Sequence, residues 1–164
     1  MTAGTIGPRE VARHLMGLRA LAAAFLLTVP AAVAAGRSLP RPPLAGRTAA
    51  VVTVAAFAVG LWLALGADRA AQRLLAGLKE RYVAHPDPRR LLAGHRSVYL
   101  RVLLRVEGVV GCGLVVALAG TGAGAALWLH GIATVLFLPA WPTEHKTRLL
   151  LRRAEELRRR AERG

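Results

Sequence analysis

Long apolar stretches alternate along this chain with shorter segments that carry nearly all of its charge. Charged residues crowd into 9–19, 68–107 and 144–163. Roughly 20 apolar residues in a helix cross a membrane core about 30 Å thick, and four stretches reach that length. The pattern therefore predicts an all-α integral membrane protein, a bundle of four transmembrane helices with spans at about 17–36, 48–67, 100–119 and 124–141.

The start of the third span follows from length alone. The run 108–141 carries no Asp, Glu, Lys or Arg. It is too long for one span and too short for two unless the third span begins near Leu100. This start places Arg105 and Glu107 inside the span. The glycine-rich residues 120–124 then favour a tight turn, so that the four spans form two helical hairpins.

Charge is distributed unequally between the two ends of these spans. The chain has a formal net charge of +14 and 23 Lys and Arg residues, and only Arg37, Arg41 and Arg47 fall on the side away from the termini. Because basic residues concentrate on the cytoplasmic side, we expect a multi-pass protein of the plasma or inner cell membrane with both termini in the cytoplasm. Nucleic-acid binding is not expected, since the basic segments adjoin the spans and no binding signature is present.

The first span also has the features of a cleavable signal peptide. A basic start, an apolar centre and the small residues 32–34 are typical of such a segment. Cleavage would leave three spans and would not change the orientation of the remainder.

Two amphipathic basic segments are predicted to extend the bundle on the cytoplasmic side, as helices over about 68–83 and 143–163. The apolar stripe of the second comprises Leu150, Ala154, Leu157 and Ala161. We expect these helices to cover one another or to lie on the anionic inner leaflet, and the same surface could dock a partner protein. The residues expected to form this headgroup or partner surface are Arg148, Arg152, Arg153, Arg159 and Arg160.

The two halves of the chain, 9–83 and 88–163, share short matching segments. An R-x-L-x-G-x-R frame occurs at 13–19 and again at 90–96. If the halves are duplicates, each contributes two spans and both have the same orientation, as in parallel-repeat membrane proteins. Because Leu, Arg and Gly are abundant here, chance matching is the alternative.

Glu107 lies too deep in the third span to reach the membrane surface. At about 1.5 Å per residue it is roughly 10 Å from Leu100, whereas the longer Arg105 can extend its guanidinium group to the interface. A carboxyl group at this depth must meet a partner from another helix, face water or stay protonated. An ion pair with Arg19 is the structural expectation, and a proton- or cation-handling carboxyl group is the alternative.

Three histidines are the other candidates for chemistry. His130 lies within the fourth span, where a lone histidine is expected to be a neutral hydrogen-bonding group between helices. His14 and His95 occupy similar positions near the inner ends of the first and third spans and could face each other. No H-x-x-x-H or C-x-x-C spacing supports a metal site, so neither a metal nor haem is predicted.

The third span is rich in small residues at helical spacing. Gly108 and Cys112 lie four residues apart, as do Gly113 and Ala117, and such spacing lets helix backbones approach closely. It predicts that the third span is central to the bundle or to a homo-oligomer.

The sequence contains no phosphate-binding loop, paired-carboxylate site or nucleophile motif, so an enzyme is not expected. It favours a non-catalytic membrane subunit, assembly factor or scaffold whose basic cytoplasmic face engages lipid or a membrane-protein partner. The alternative is a small oligomeric transporter or channel that uses Glu107 as its proton- or cation-coupling group.

Overall fold

The computed structural model describes residues 7–39, 46–120 and 123–163, and these ranges are helical apart from short connections. The segment 40–45, which contains Arg41, and the turn residues 121 and 122 lie outside the described residues. Five helices follow one another: α1 Pro8–Ser38, α2 Gly46–Ala84, α3 Pro88–Ala119, α4 Ala123–Ala140 and α5 Glu144–Ala161.

Local sequence signals set several of the helix ends. The Asp87 carboxylate begins α3 by accepting hydrogen bonds from the backbone N–H groups of Arg89 and Arg90. Thr143 caps the start of α5 in the same way, as its position before the basic segment predicts. Gly120 ends α3 with a φ of 76°, a left-handed conformation that glycine adopts without strain.

Helices α2 and α3 form one long antiparallel pair. Their contacts run in opposite order along the two helices, from Gly60 against Cys112 to Leu78 against Gly94. The pair therefore continues without interruption from the apolar stretches into the charged segment that connects them.

Both helices of this pair are longer than their apolar stretches. The segment 68–83, predicted as a helical extension on the cytoplasmic side, is the continuous end of α2, and α3 begins at Pro88, before the predicted start of the third span near Leu100. Backbone hydrogen bonds do not depend on side-chain charge, so an amphipathic sequence can prolong a spanning helix beyond its apolar part.

Helix α1 runs parallel to α3 and in a fixed register with it. His14 meets His95, 81 residues later in the chain, and Thr28 meets Glu107, 79 residues later. A nearly constant separation over about four helical turns requires that the two helices run in the same direction. A duplicated chain would have this arrangement, and the internal repeat stays a prediction.

Helix α3 lies at the centre of the bundle and contacts α1, α2 and α4. Leu103, Val109 and Val116 of α3 are fully buried, and Leu18 of α1 and Leu129 of α4 complete the core beside them. The outer faces of the bundle are apolar as well, which suits contact with lipid. Large side chains exposed there include Trp62, Leu65, Trp128 and Leu138.

Helices α1, α2 and α3 are each long and apolar enough to cross a membrane. Helix α4 meets the same requirement only together with α5, from which it is bent by 57°. The described residues therefore contain three helices that could span a membrane, or four if the bent pair forms one span.

The small residues predicted for packing on α3 all lie against other helices. At Gly113, an added Cβ atom would come within 2.7 Å of the His130 ring, which leaves no room for a side chain. Because these contacts face three different helices, small residues allow α1, α2 and α4 to surround α3 closely. The pairs are Gly108 with Leu63, Cys112 with Gly60, Gly113 with His130, and Ala117 with Gly36.

We expect Gly36→Ala to lower the free energy of unfolding by about 1–3 kcal/mol, the usual cost of overpacking. The new Cβ would lie 2.8 Å from that of Ala117, and neither methyl group can rotate away. Thermal unfolding in detergent, followed by circular dichroism, measures the loss. Combining Gly36→Ala with Ala117→Gly should recover most of it. Gly111→Ala, whose Cβ would meet no atom within 4 Å, is the control, and equal losses in both single variants would contradict this packing.

Candidate functional site

Glu107 contacts Thr28 of α1 inside the apolar part of the bundle. The Thr28 hydroxyl oxygen lies 2.7 Å from Oε2 of Glu107 and 2.6 Å from the carbonyl oxygen of Phe25. A hydroxyl group has a single hydrogen, so it cannot donate fully to both oxygens. The hydroxyl group therefore donates either to the Glu107 carboxyl group on α3 or to the backbone of its own helix. In both cases the Glu107 carboxyl group lies against a neutral partner from α1.

The ion pair expected between Glu107 and Arg19 is not formed. Arg19 precedes Thr28 by about two and a half turns, or roughly 13 Å along α1. Its Nε donates instead to the carbonyl oxygen of Pro142, 3.4 Å away, in the α4–α5 connection. The expectation is wrong because the parallel register brings Thr28, and not Arg19, to the level of Glu107.

Arg105 joins α3 to α2. Its Nη1 donates to the carbonyl oxygen of Gly66 at 3.1 Å, and the side chain is half-buried. A Cβ atom at Gly66 would lie 3.3 Å from the same nitrogen, so the glycine lets the guanidinium group reach the α2 backbone. Arg105 therefore bridges two helices, a contact that the predicted anchoring at the membrane interface does not include.

His130 is buried between α4 and α3, with only 5% of its surface exposed. Its Nδ1 lies 2.7 Å from the carbonyl oxygen of Ala126, so Nδ1 carries a hydrogen and donates this bond. The Nε2 atom packs near Gly113 and has no hydrogen-bond partner among the described residues. The hydrogen bond expected between helices is thus formed within α4, and the ring fills the space that Gly113 leaves.

His14 and His95 face each other where α1 and α3 begin. Nε2 of His14 lies 3.2 Å from Nδ1 of His95, a hydrogen bond in which one ring donates and the other accepts. Burial, with a smaller effect of His14, lowers the pKa of His95 to about 4. Burial and then the nearby Arg96 lower the pKa of His14 as well. Both rings are therefore neutral at pH 7. In the described part of the chain, no three His, Cys, Asp or Glu residues cluster in a way that could hold a metal ion.

Helix α5 buries one face against the bundle and exposes its arginines. Thr147, Leu150 and Ala154 are buried, and Ala154 shares a small core with Tyr82 of α2. Leu157, predicted on this stripe, is 41% exposed, so the buried stripe lies one turn earlier and starts at Thr147. The five arginines predicted for a headgroup or partner surface are all exposed: Arg148, Arg152, Arg153, Arg159 and Arg160.

Polar contacts fix the orientation of α5 on α2. The Tyr82 hydroxyl donates to Oε2 of Glu155 at 3.2 Å, and Arg158 binds Oε1 at 2.7 Å. The hydrogen bond from Arg158 is the largest cause that lowers the pKa of Glu155. Two of the five exposed arginines are also paired, Arg159 with Glu155 at 3.5 Å and Arg148 with Glu144. The other three form no ion pair with the described residues: Arg152, Arg153 and Arg160.

The sequence pattern does not reveal three of the site residues: Thr28, Tyr82 and Lys146. Thr28 and Tyr82 stand within apolar stripes, where a hydroxyl group gives no separate signal. Lys146 donates to the carbonyl oxygens of Pro139 and Trp141 and so caps the end of α4. Its position shortly after a helix end, where cations are favoured, is the signal that could have found it.

Comparison with models of known protein families, with curated proteins and with solved structures finds no match for this chain. Two features of the geometry therefore carry the functional argument. One is the pairing of Glu107 with a neutral partner inside the bundle, and the other is the set of exposed arginines on α5.

We expect the protein to lose stability as the pH falls from about 6.5 toward 4. In the unfolded chain, His95 gains its proton near pH 6.5, whereas burial in the folded protein delays this to about pH 4. The unfolded state binds more protons in this window, so the stability present above pH 6.5 is lost as the pH falls. The expected decrease is on the order of 1 kcal/mol, because solvent screening at the half-buried His14 limits the effect.

Thermal unfolding in detergent at pH 7 and pH 5 measures this dependence. His95→Asn should flatten it, and His145→Asn, at an exposed position of α5, should leave it unchanged. If stability still falls by the full amount between pH 7 and pH 5 in His95→Asn, the pH dependence does not come from the His14–His95 pair. The charged groups around the pair are Glu10, Arg13, Arg89 and Arg96 on one side and Lys146 on the other.

Proposed function

We propose that this protein is a multi-pass component of the cell membrane, with four spans in two helical hairpins and both termini in the cytoplasm. Helices α1, α2 and α3 have the length and apolar character of spans. Helix α4 is about 27 Å long and supplies the fourth. Arg37 and Arg47 stand at the end of the bundle away from α5, and this asymmetry supports the proposed orientation through the positive-inside rule.

Within that topology the protein acts as a non-catalytic subunit, assembly factor or scaffold, and its basic cytoplasmic face engages anionic lipid or an acidic partner. One observation carries this assignment: α5 is fixed to the bundle by its buried face while its arginines remain exposed. A basic surface of this kind is suited to recognition, since the helix is already held in place and Arg152, Arg153 and Arg160 have no ion pair with described residues to break.

The position of α5 decides what its arginines can reach. Helix α5 is bent by 57° from α4 and packs beside the end of α2, where Glu155 meets Tyr82. Tyr82 lies about 22 Å along α2 beyond the predicted end of the second span. Arg148, at the start of α5, is therefore nearest to the anionic lipid, where a Lys or Arg contributes about 1 kcal/mol, whereas the later arginines lie where an acidic protein surface can reach them. An acidic surface on a membrane-protein partner, or on another copy of the chain, would be recognised by the same groups.

Photo-crosslinking in cell membranes tests this role. A photoreactive residue at position 153 should form adducts with a discrete membrane protein or with anionic lipid, and the same residue at the exposed Ala76 of α2 gives the background. Replacing Arg152 and Arg160 with Gln should reduce the adducts at 153 about fivefold or more, because the face loses two charges and keeps its buried contacts. Adducts that equal the Ala76 background, or that resist this charge removal, would contradict the proposal.

A small oligomeric transporter or channel is the second candidate, and the position of Glu107 is the observation that favours it. Ionisable groups within spans often mark ion or proton pathways. The carboxyl group of Glu107, held by the Thr28 hydroxyl, could gain and lose a proton. Several copies of the chain would be needed, since four helices seldom enclose a pathway alone.

Glu107→Gln separates the two candidates. The glutamine amide oxygen can accept from the Thr28 hydroxyl as the Glu107 carboxyl oxygen does, so the variant should unfold within a few degrees of the native protein. We expect no proton or cation flux above that of empty liposomes for either protein, as the non-catalytic role requires. Flux through the native protein that disappears in the folded variant would instead establish transport through Glu107.

A further inference from the structure

We propose that a cleft between the first turns of α1 and α3 binds the phosphate group of an anionic lipid headgroup. The cleft has a volume of about 320 Å³, and Arg13, Arg89 and Arg96 line it together with His14. All of its lining residues belong to α1 and α3. The site is therefore separate from the basic face of α5 and does not depend on the function proposed for that face.

The cleft is formed by one face of each helix. Arg89, Leu92 and Arg96 follow one another at spacings of three and four along α3, so they share a face. On α1, Arg13 and Gly17 share a face for the same reason. Because α1 and α3 run parallel in a fixed register, the two faces remain opposite each other along the whole cleft.

The charges in the cleft are unbalanced. Glu10, the single carboxylate of the lining, is paired with Arg89 at 3.0 Å. Arg13 and Arg96 are exposed and form no ion pair or hydrogen bond with the residues that the structure describes. Two guanidinium groups with free N–H donors, one from each helix, thus line the same cleft, and each can bind a pair of phosphate oxygens.

The depth of the cleft matches that of lipid headgroups. Arg13 precedes Gly17, where the first span begins, by about 6 Å, and Arg96 precedes Leu100 by about the same distance. The headgroup layer extends roughly 5–7 Å beyond the hydrocarbon core on each side of a bilayer. The two unpaired arginines are therefore at the level of the lipid phosphates.

The edge of the cleft nearest the span is open at Gly17. A Cβ atom on this residue would meet no atom within 4 Å, so no side chain closes the cleft toward the predicted span. The glycerol and acyl portions of a lipid can follow this path while its phosphate stays between Arg13 and Arg96. Inorganic phosphate would use the arginines alone, and a lipid headgroup is therefore the better occupant.

The lipid selectivity of the full-length protein tests this site. The protein is reconstituted in phosphatidylcholine vesicles, and electron paramagnetic resonance measures how much spin-labelled phosphatidylglycerol or phosphatidylcholine it immobilises. We expect the native protein to prefer phosphatidylglycerol, and R13Q/R96Q to lower that preference about threefold or more. R152Q/R153Q removes the same charge from α5 and is the matched control, which should lower the preference less.

A competition experiment distinguishes a lipid headgroup from free phosphate. In it, inorganic phosphate replaces chloride in the buffer at constant ionic strength. It should displace phosphatidylglycerol from the native protein and not from R13Q/R96Q. If R13Q/R96Q and R152Q/R153Q lose equal shares of the preference for phosphatidylglycerol, the preference comes from diffuse positive charge, and the site is overturned. Thermal stabilisation by phosphate without any lipid preference would assign the cleft to free phosphate and overturn the headgroup assignment.

A second double variant keeps the test decisive if R13Q/R96Q fails to fold. R13K/R96K retains both charges but lacks the planar guanidinium fork, so it should keep the native unfolding temperature and lose part of the lipid preference. An unchanged preference in R13K/R96K would contradict paired binding of phosphate oxygens. Crosslinking from α5 reports on different residues, so its failure and the failure of this site are distinguishable.

Discussion

The close approach of three helix backbones to α3 is the constraint on which the rest of this structure depends. Lipid tails are as apolar as the side chains that face them, so packing at small residues has to supply much of the contact between spans. Gly108 admits α2, Gly113 admits the His130 ring of α4, and Ala117 meets α1. These contacts fix the parallel register of α1 and α3, and that register in turn brings Thr28 to Glu107.

The sequence predicts those features that depend on length and spacing along one helix. Membrane thickness sets about 20 residues per span, and the position of Glu107 inside an apolar helix follows from that arithmetic. Small residues at four-residue spacing predict the central place of α3 for the same reason. The partner of Glu107 cannot be predicted in this way, because it depends on the register between two helices. Single-helix spacing contains no information about register, so Arg19 is expected where Thr28 lies.

The charged end of the bundle shows a second limit of sequence patterns. Charge appears in the sequence after the second apolar stretch, and this change predicts an amphipathic helical extension at 68–83 without showing whether it is continuous with the span. The structure contains one continuous helix to Ala84, because the backbone ladder continues while the outward side chains change from apolar to charged. The onset of charge thus marks the predicted edge of the membrane, not the end of a helix. The same reasoning explains why α3 starts well before its apolar part.

The contrast between the apolar region of the bundle and its charged end favours surface recognition over conduction. Inside the apolar region, Glu107 is held by the Thr28 hydroxyl and Arg105 by a backbone carbonyl, and each contact joins α3 to a neighbouring helix. Where the helices leave the apolar region, cations exceed their partners, and Arg13 and Arg96 have free donors. Desolvation is costly inside and small at the surface, so unpaired charge persists only where a ligand can reach it. The unpaired arginines are therefore at the bundle's charged end, while Glu107 and Arg105 in its core join helices to one another.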